Sequence, residues 1–130
     1  MSEAEKKFFF VLKDILGDDY LIFSKVRLAD LLYLPKMSNS EYYRYFNKIQ
    51  SKHVDFVICD KKNIKPLLVI ELDDPSHLKL DRVLRDDFLN KTLNNSNLSI
   101  IHFETMAKYD KNVLSPKIHQ RLIDLLSKKL

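Results

Sequence analysis

Three carboxylates and a histidine lie within seven positions after an apolar run. Glu71, Asp73, Asp74 and His77 follow directly on the apolar residues 67–70. Removing carboxylates from water is costly unless they are paired or bind a cation, so apolar strands rarely end this way for stability alone. The pattern therefore indicates a functional site at the end of a strand.

A further acid, Asp55, lies inside the apolar segment 53–59. Side chains alternate between the two faces of a strand, so Val69, Glu71 and Asp73 share one face. If that face coincides with the one that carries Asp55, three carboxylates converge. Mg²⁺ or Mn²⁺ would then bind Asp55 and Glu71, with Asp73 as a further ligand, because such ions prefer oxygen ligands. A metal held there polarises a phosphodiester and acidifies a bound water, which predicts a nuclease.

Several polar residues near these acids could complete such a site. His77, one turn past the strand end, suits proton transfer or a phosphate contact. Lys52 or Lys25 would stabilise developing negative charge. The other histidines, at positions 53, 102 and 119, are interpreted as ordinary. The predicted catalytic residues are Asp55, Glu71, Asp73, His77 and Lys52, and the predicted nucleic-acid contacts are Lys25, Arg27, Lys79 and Arg85.

Each of these residues also has a structural interpretation. Asp55 and Glu71 could be buried acids that pair with a lysine or an arginine. Asp74 precedes a proline, a position typical of turns and helix caps. Arg85 lies four residues after Asp81, the spacing of a helix-surface ion pair.

Composition restricts the class of protein. A chain of 130 residues is large enough for one core, so we expect a single domain over residues 1–130. The net charge of +4 is compatible with nucleic acid, and DNA is favoured over RNA as the partner. No apolar run approaches the roughly 18 residues of a membrane span, so we expect a cytoplasmic protein without a membrane partner. The single cysteine, Cys59, excludes an intrachain disulfide.

Hydrophobic periodicity predicts an α/β domain with elements in the order α-β-(α)-β-β-α-β-α. Ser2 is the expected N-cap of the first helix, and Glu5 completes a capping box. The second and third strands form an antiparallel hairpin across the turn 60–63. The predicted helices cover residues 2–16, 27–33, 38–51, 77–93 and 116–130, and the predicted strands cover residues 19–26, 53–59, 66–72 and 98–103.

The acids resemble the motif of the PD-(D/E)XK nuclease superfamily, in which an acid on the second strand precedes an (Asp/Glu)-x-Lys on the third. The matching positions are Asp55 and the segment 71–73 (ELD). More narrowly, the segments KVRLADLL (25–32), KHVDFV (52–57) and IELDD (70–74), with His77 and the pair 85–86, resemble the family called domain of unknown function 2726. This resemblance covers about residues 5–103, and the sequence is also similar to the very-short-patch-repair endonucleases.

The resemblance implies a restriction-endonuclease-like three-layer sandwich, with a mixed four-stranded central sheet flanked by helices. It implies a Mg²⁺- or Mn²⁺-dependent nuclease that could act as a homodimer or inside a larger assembly. An acid from the first helix often joins such sites, which makes Glu5 a further candidate.

The chain departs from the superfamily motif at one position: Asp73 stands where the superfamily has lysine. Three interpretations follow. The positive charge could come from Lys25, Lys52 or Lys79, in an active nuclease. The domain could instead be inactive and bind nucleic acid or a protein partner. In the third interpretation the acids are purely structural and the domain is an interaction protein.

Overall fold

The structure is a computed structural model that describes residues 1–31, 38–50, 52–74 and 98–127. The predicted helix over 77–93 and the predicted loop over 94–97 lie outside these residues. No helix within the described ranges is both long and apolar enough to cross a membrane. The helices are α1 (Glu3–Leu16), α2 (Leu28–Leu31), α3 (Asn39–Ile49) and α4 (Lys111–Ser127), and the strands are β1 (Tyr20–Arg27), β2 (His53–Asp60), β3 (Pro66–Asp73) and β4 (Ser99–Glu104).

The four strands form one mixed sheet in the order β1-β2-β3-β4. The β1–β2 and β2–β3 pairs are antiparallel, and β4 runs parallel to β3. The Asp60 carboxylate accepts hydrogen bonds from the backbone N–H groups of Lys62 and Asn63, which closes the turn between β2 and β3. The predicted α/β class, the mixed four-stranded sheet and the hairpin are therefore confirmed.

Helix α1 begins and ends where the sequence predicts. The Ser2 hydroxyl accepts a hydrogen bond from the Glu5 N–H at 3.2 Å, so Ser2 is the N-cap. Gly17 has a φ of 60°, a left-handed conformation that glycine adopts without strain, and its N–H donates to the Lys13 carbonyl at 2.8 Å. Between these caps, an apolar stripe at three- and four-residue spacing turns towards the sheet.

The first hydrophobic cluster joins α1 and α4 to one face of the sheet. Phe8 lies at its centre, fully buried, with its ring 5.4 Å from that of Phe56 and 5.2 Å from that of Tyr109 between centroids. The buried members are Phe8, Leu12, Ile15, Leu16, Phe56, Ile58, Leu67, Leu68, Ile70, Tyr109, Leu114, Ile118 and Leu122.

A second, smaller cluster lies on the other face of the sheet. Leu28 of α2 is fully buried there, against residues from β2 and β3. Both faces of the sheet are therefore apolar, as expected for a sheet that is covered on both sides. The buried members are Leu28, Val54, Val57, Cys59, Val69 and Leu98.

Helix α4 begins earlier than predicted. The sequence predicts a start at Pro116, but the helix begins at Lys111 and Pro116 lies in its second turn. Asp110 is the reason, because its carboxylate accepts from the Asn112 N–H at 2.9 Å and its carbonyl accepts from the Leu114 N–H at 3.1 Å. These bonds satisfy helix-start donors, and the proline costs one hydrogen bond within the helix.

Replacement of Phe8 tests the importance of the first cluster. We expect Phe8→Ala to lower the free energy of unfolding by about 3–5 kcal/mol, because the cavity removes contacts with three aromatic rings. Urea denaturation monitored by circular dichroism measures this free energy. The matched control is Phe10→Ala on the same helix, at a side chain that is 65% exposed, and we expect a change within about 0.5 kcal/mol. Equal losses in the two variants would contradict this assignment of the core.

Candidate functional site

Lys25 of β1 and Asp55 of β2 lie directly opposite each other in the sheet. Ser24 pairs with Phe56 on one side of them, and Val26 pairs with Val54 on the other. Lys25 has a φ of 53°, in the left-handed region that non-glycine residues rarely adopt. Such strain persists only where the surrounding structure holds it, and it is concentrated at functional sites.

The two strands change faces at this point. In a regular strand Val54 and Phe56 would share a face, yet Phe56 packs in the first cluster and Val54 in the second. Strand β1 changes in the same way, since Ile22 packs against the first cluster and Val26 against the second. Because both strands shift together, the pairing register is kept. The irregularity is therefore local to Lys25 and Asp55.

Asp55 also bridges to β3 through its side chain. The last backbone pair that joins β2 to β3 is Phe56 with Ile70. Beyond that pair, the Leu72 N–H donates to Asp55 Oδ2 at 2.7 Å. A carboxylate thus takes the place of a backbone carbonyl in the sheet, which fixes the orientation of the Asp55 side chain.

The Lys25 ammonium connects this carboxylate to α1. Its Nζ lies 2.9 Å from Glu5 Oε1 and 3.5 Å from Asp55 Oδ1. Burial lowers the pKa of Lys25, but the hydrogen bond to Glu5 and the negative charges of Asp55 and Glu5 outweigh it, so the pKa is raised above 10.5. Lys25 is therefore a cation at neutral pH. The Glu5 carboxylate, expected in a capping box, is instead directed to Lys25.

These three residues line a cleft of about 570 Å³. Asp74 also lines it, so the described lining residues include three acids and one lysine. Acids attract cations and repel phosphate unless a cation lies between them. The described lining residues are Ser2, Ala4, Glu5, Lys25, Asp55, Leu72, Asp74 and Thr105.

Glu71 and Asp73 are directed to the other face of the sheet. They alternate with Leu72, which packs against the first cluster, and share the face of Val69, which belongs to the second. Glu71 is 1% exposed. Asp73 Oδ1 lies 3.3 Å from Nδ1 of His102 on the neighbouring strand β4.

A model of the family described as "Protein of unknown function (DUF2726)" matches residues 1–122. The chain belongs to this family. No curated protein matches it, and no solved structure does. The membership confirms the narrower of the resemblances seen in the sequence.

The structure brings together only part of the predicted site of this DUF2726 chain. Asp55 and Lys25 meet in the cleft, together with Glu5. Lys52 precedes β2, where its carbonyl accepts from the Leu28 N–H, and Arg27 forms a two-bond ion pair with Asp30 at the surface. The predicted residues His77, Lys79 and Arg85 lie outside the described part of the chain, as does Asp81.

Two residues have contacts that the sequence interpretation did not include. Asp74, interpreted as a turn acid, also lines the cleft, and His102, interpreted as ordinary, contacts Asp73 on the other face of the sheet. The position of Asp74 could have been predicted from strand alternation, which places residues 72 and 74 on the face opposite that of residues 71 and 73. No local pattern points to His102, because its contact depends on the parallel pairing of β3 with β4.

The described residues contain no group of three or more histidine, cysteine, aspartate or glutamate side chains positioned to hold a metal ion. The three predicted ligands therefore do not form one group within these ranges. Mg²⁺ nevertheless takes only one or two protein carboxylates in many sites, with water and phosphate as the other ligands. Glu5 and Asp55, whose carboxylates are hard oxygen donors that line the cleft, are compatible with such an ion.

Replacement of Asp55 should separate its structural role from its charge. We expect Asp55→Ala to lower the free energy of unfolding by about 1–3 kcal/mol, because the Leu72 N–H loses its acceptor. Asp55→Asn keeps an amide oxygen at this position, and we expect a smaller loss. Urea denaturation of the two variants beside the wild type measures the difference. If both variants lose the same free energy, the hydrogen bond does not hold β2 to β3.

Proposed function

We propose that this chain is a divalent-metal-dependent nuclease with the restriction-endonuclease-like fold, and that its reactive centre is the cleft of Glu5, Lys25 and Asp55. The observation that carries the proposal is the contact of the Lys25 ammonium with both carboxylates. The acid-bearing strands and the mixed sheet with a helix-borne acid support the resemblance to the PD-(D/E)XK superfamily.

In this proposal Lys25 supplies the charge that Asp73 cannot. Asp73 is an acid that contacts His102, on the sheet face opposite that of Leu72. Lys25 lines the cleft and is a cation at neutral pH. A cation beside a phosphodiester stabilises the negative charge that develops on the phosphate oxygens during hydrolysis. Without a bound metal, the Lys25 ammonium contacts Glu5 and Asp55.

Glu5 and Asp55 are the proposed metal ligands in the cleft. Glu71, a metal ligand in the sequence prediction, is directed to the other face of the sheet, so this proposal assigns the metal to Glu5 and Asp55 instead. Mg²⁺ or Mn²⁺, when bound, supplies Lewis acidity and a more acidic water. Asp55 keeps its orientation through the Leu72 N–H, so its other oxygen, Oδ1, is directed to Lys25 in the cleft. His77 remains the predicted group for proton transfer.

The proposed substrate is nucleic acid, with DNA favoured over RNA. The excess of lysine and arginine over acids in the whole chain favours a polyanion. Glu5 and Asp55 would repel a phosphate, and a metal ion bound between these acids and the phosphate would offset that repulsion. A homodimer or larger assembly would enlarge the surface that contacts the substrate.

A cleavage assay tests the proposed function. We expect the purified protein to cut single- or double-stranded DNA with Mg²⁺ or Mn²⁺ and not with EDTA. Asp55→Asn should lower the rate by about 100-fold or more, because the variant loses a metal ligand but keeps the acceptor for Leu72. The matched control is Asp30→Asn, at a surface ion pair, which should cut like the wild type. Cleavage that survives in Asp55→Asn would refute the assignment.

An inactive module that binds nucleic acid or a protein is the second candidate. The Lys25 ammonium already offsets the charges of Glu5 and Asp55, so these acids are stable without a metal. Fluorescence polarisation with labelled DNA, run beside the cleavage assay, separates the two candidates. Binding without cleavage at any metal concentration would favour the inactive module.

A further inference from the structure

The Lys25 ammonium occupies the position between the two carboxylates that we propose as metal ligands. Nζ is 2.9 Å from Glu5 Oε1 and 3.5 Å from Asp55 Oδ1. Two carboxylates directed to one point repel each other, and a cation between them removes the repulsion. In this chain the cation is part of the protein.

The Lys25 side chain is more exposed than the acids that hold its ammonium. The Lys25 side chain is 47% exposed, while those of Glu5 and Asp55 are 17% and 15% exposed. The Leu72 N–H orients the Asp55 carboxylate, and the N-capped helix α1 fixes the backbone of Glu5. A long lysine side chain can swing into water at small cost, because its ammonium is readily hydrated.

We propose that the Lys25 ammonium is a resident counterion that competes with a divalent cation for Glu5 and Asp55, and so weakens metal binding by this chain. The inference rests on the proposed function, because it assumes that these two acids bind the metal. It adds that Lys25 controls how much metal the site holds.

The competition changes what metal does to stability. Acids that are already neutralised gain little from a second cation, so we expect only a small rise in the melting temperature of the wild type with Mg²⁺ or Mn²⁺. Without the ammonium, the same acids repel each other until a metal binds. Metal should then raise the melting temperature of a Lys25 variant more than that of the wild type.

Direct Mn²⁺ titration, read from the electron paramagnetic resonance signal of the free ion, tests the inference without any cleavage assay. The variants are Lys25→Met and Lys25→Asn, and circular dichroism verifies that they fold. Asparagine tolerates the left-handed backbone of this position, so Lys25→Asn removes the charge without added strain. We expect both variants to bind Mn²⁺ about tenfold or more tightly than the wild type.

The matched control is Lys6→Met, which removes an ammonium 3.2 Å from Glu3 on the exposed side of the same helix. It should bind Mn²⁺ like the wild type. Adding Asp55→Asn to Lys25→Asn should abolish the gain, which locates the effect in the cleft.

Three results would overturn the inference, and they differ in what they imply for the proposed metal site. Wild-type or weaker affinity in both Lys25 variants would refute the competition but leave the metal site intact. A gain that survives Asp55→Asn, or that also appears in Lys6→Met, would show a general charge effect. If no protein in the series binds millimolar Mn²⁺, the metal in the proposed function fails, and the competition fails with it.

Discussion

The hydrogen bond from the Leu72 N–H to Asp55 Oδ2 is the interaction on which the site depends. The backbone pairs between β2 and β3 end at Phe56 and Ile70, so the amide of Leu72 needs another acceptor. The Asp55 carboxylate provides it at 2.7 Å. One oxygen of this acid therefore belongs to the sheet, while the other is left to face Lys25. Asp55 therefore both stabilises the sheet and lines the cleft. For this reason Asp55→Ala would change stability as well as any activity of the cleft.

The positions of Lys25 and Glu5 follow from packing rather than from local preference. Lys25 adopts a strained backbone at the point where β1 and β2 change faces together. Helix α1 is anchored by Phe8 in the first cluster, and this anchoring brings Glu5 within 2.9 Å of Lys25 Nζ. Burial of the aromatic core thus keeps Glu5 and Lys25 in contact. An ion pair on an exposed surface would contribute little to stability by itself.

The acids of the chain are divided between the two sides of β3. Glu5, Asp55 and Asp74 line the cleft on the side of α1, whereas Asp73 contacts His102 on the other side. The cation beside Asp55 comes from β1, as Lys25, and not from β3. The division also means that the acidic run at the end of β3 is not one cluster, because its members alternate in direction.

The sequence by itself determined the elements and the unusual residues of this protein. Caps and periodicity located α1 and the hairpin of β2 and β3, because these signals are local in the chain, whereas the family resemblance implied the mixed sheet. The position of acids within and after apolar segments also identified Asp55 and the acids that follow residue 70. Only the tertiary structure decided the partners: Glu5 with Lys25, Asp55 with Leu72, and Asp73 with His102. Each of these contacts joins residues at least 17 positions apart, and depends on the strand register and on how α1 packs, which no local pattern specifies.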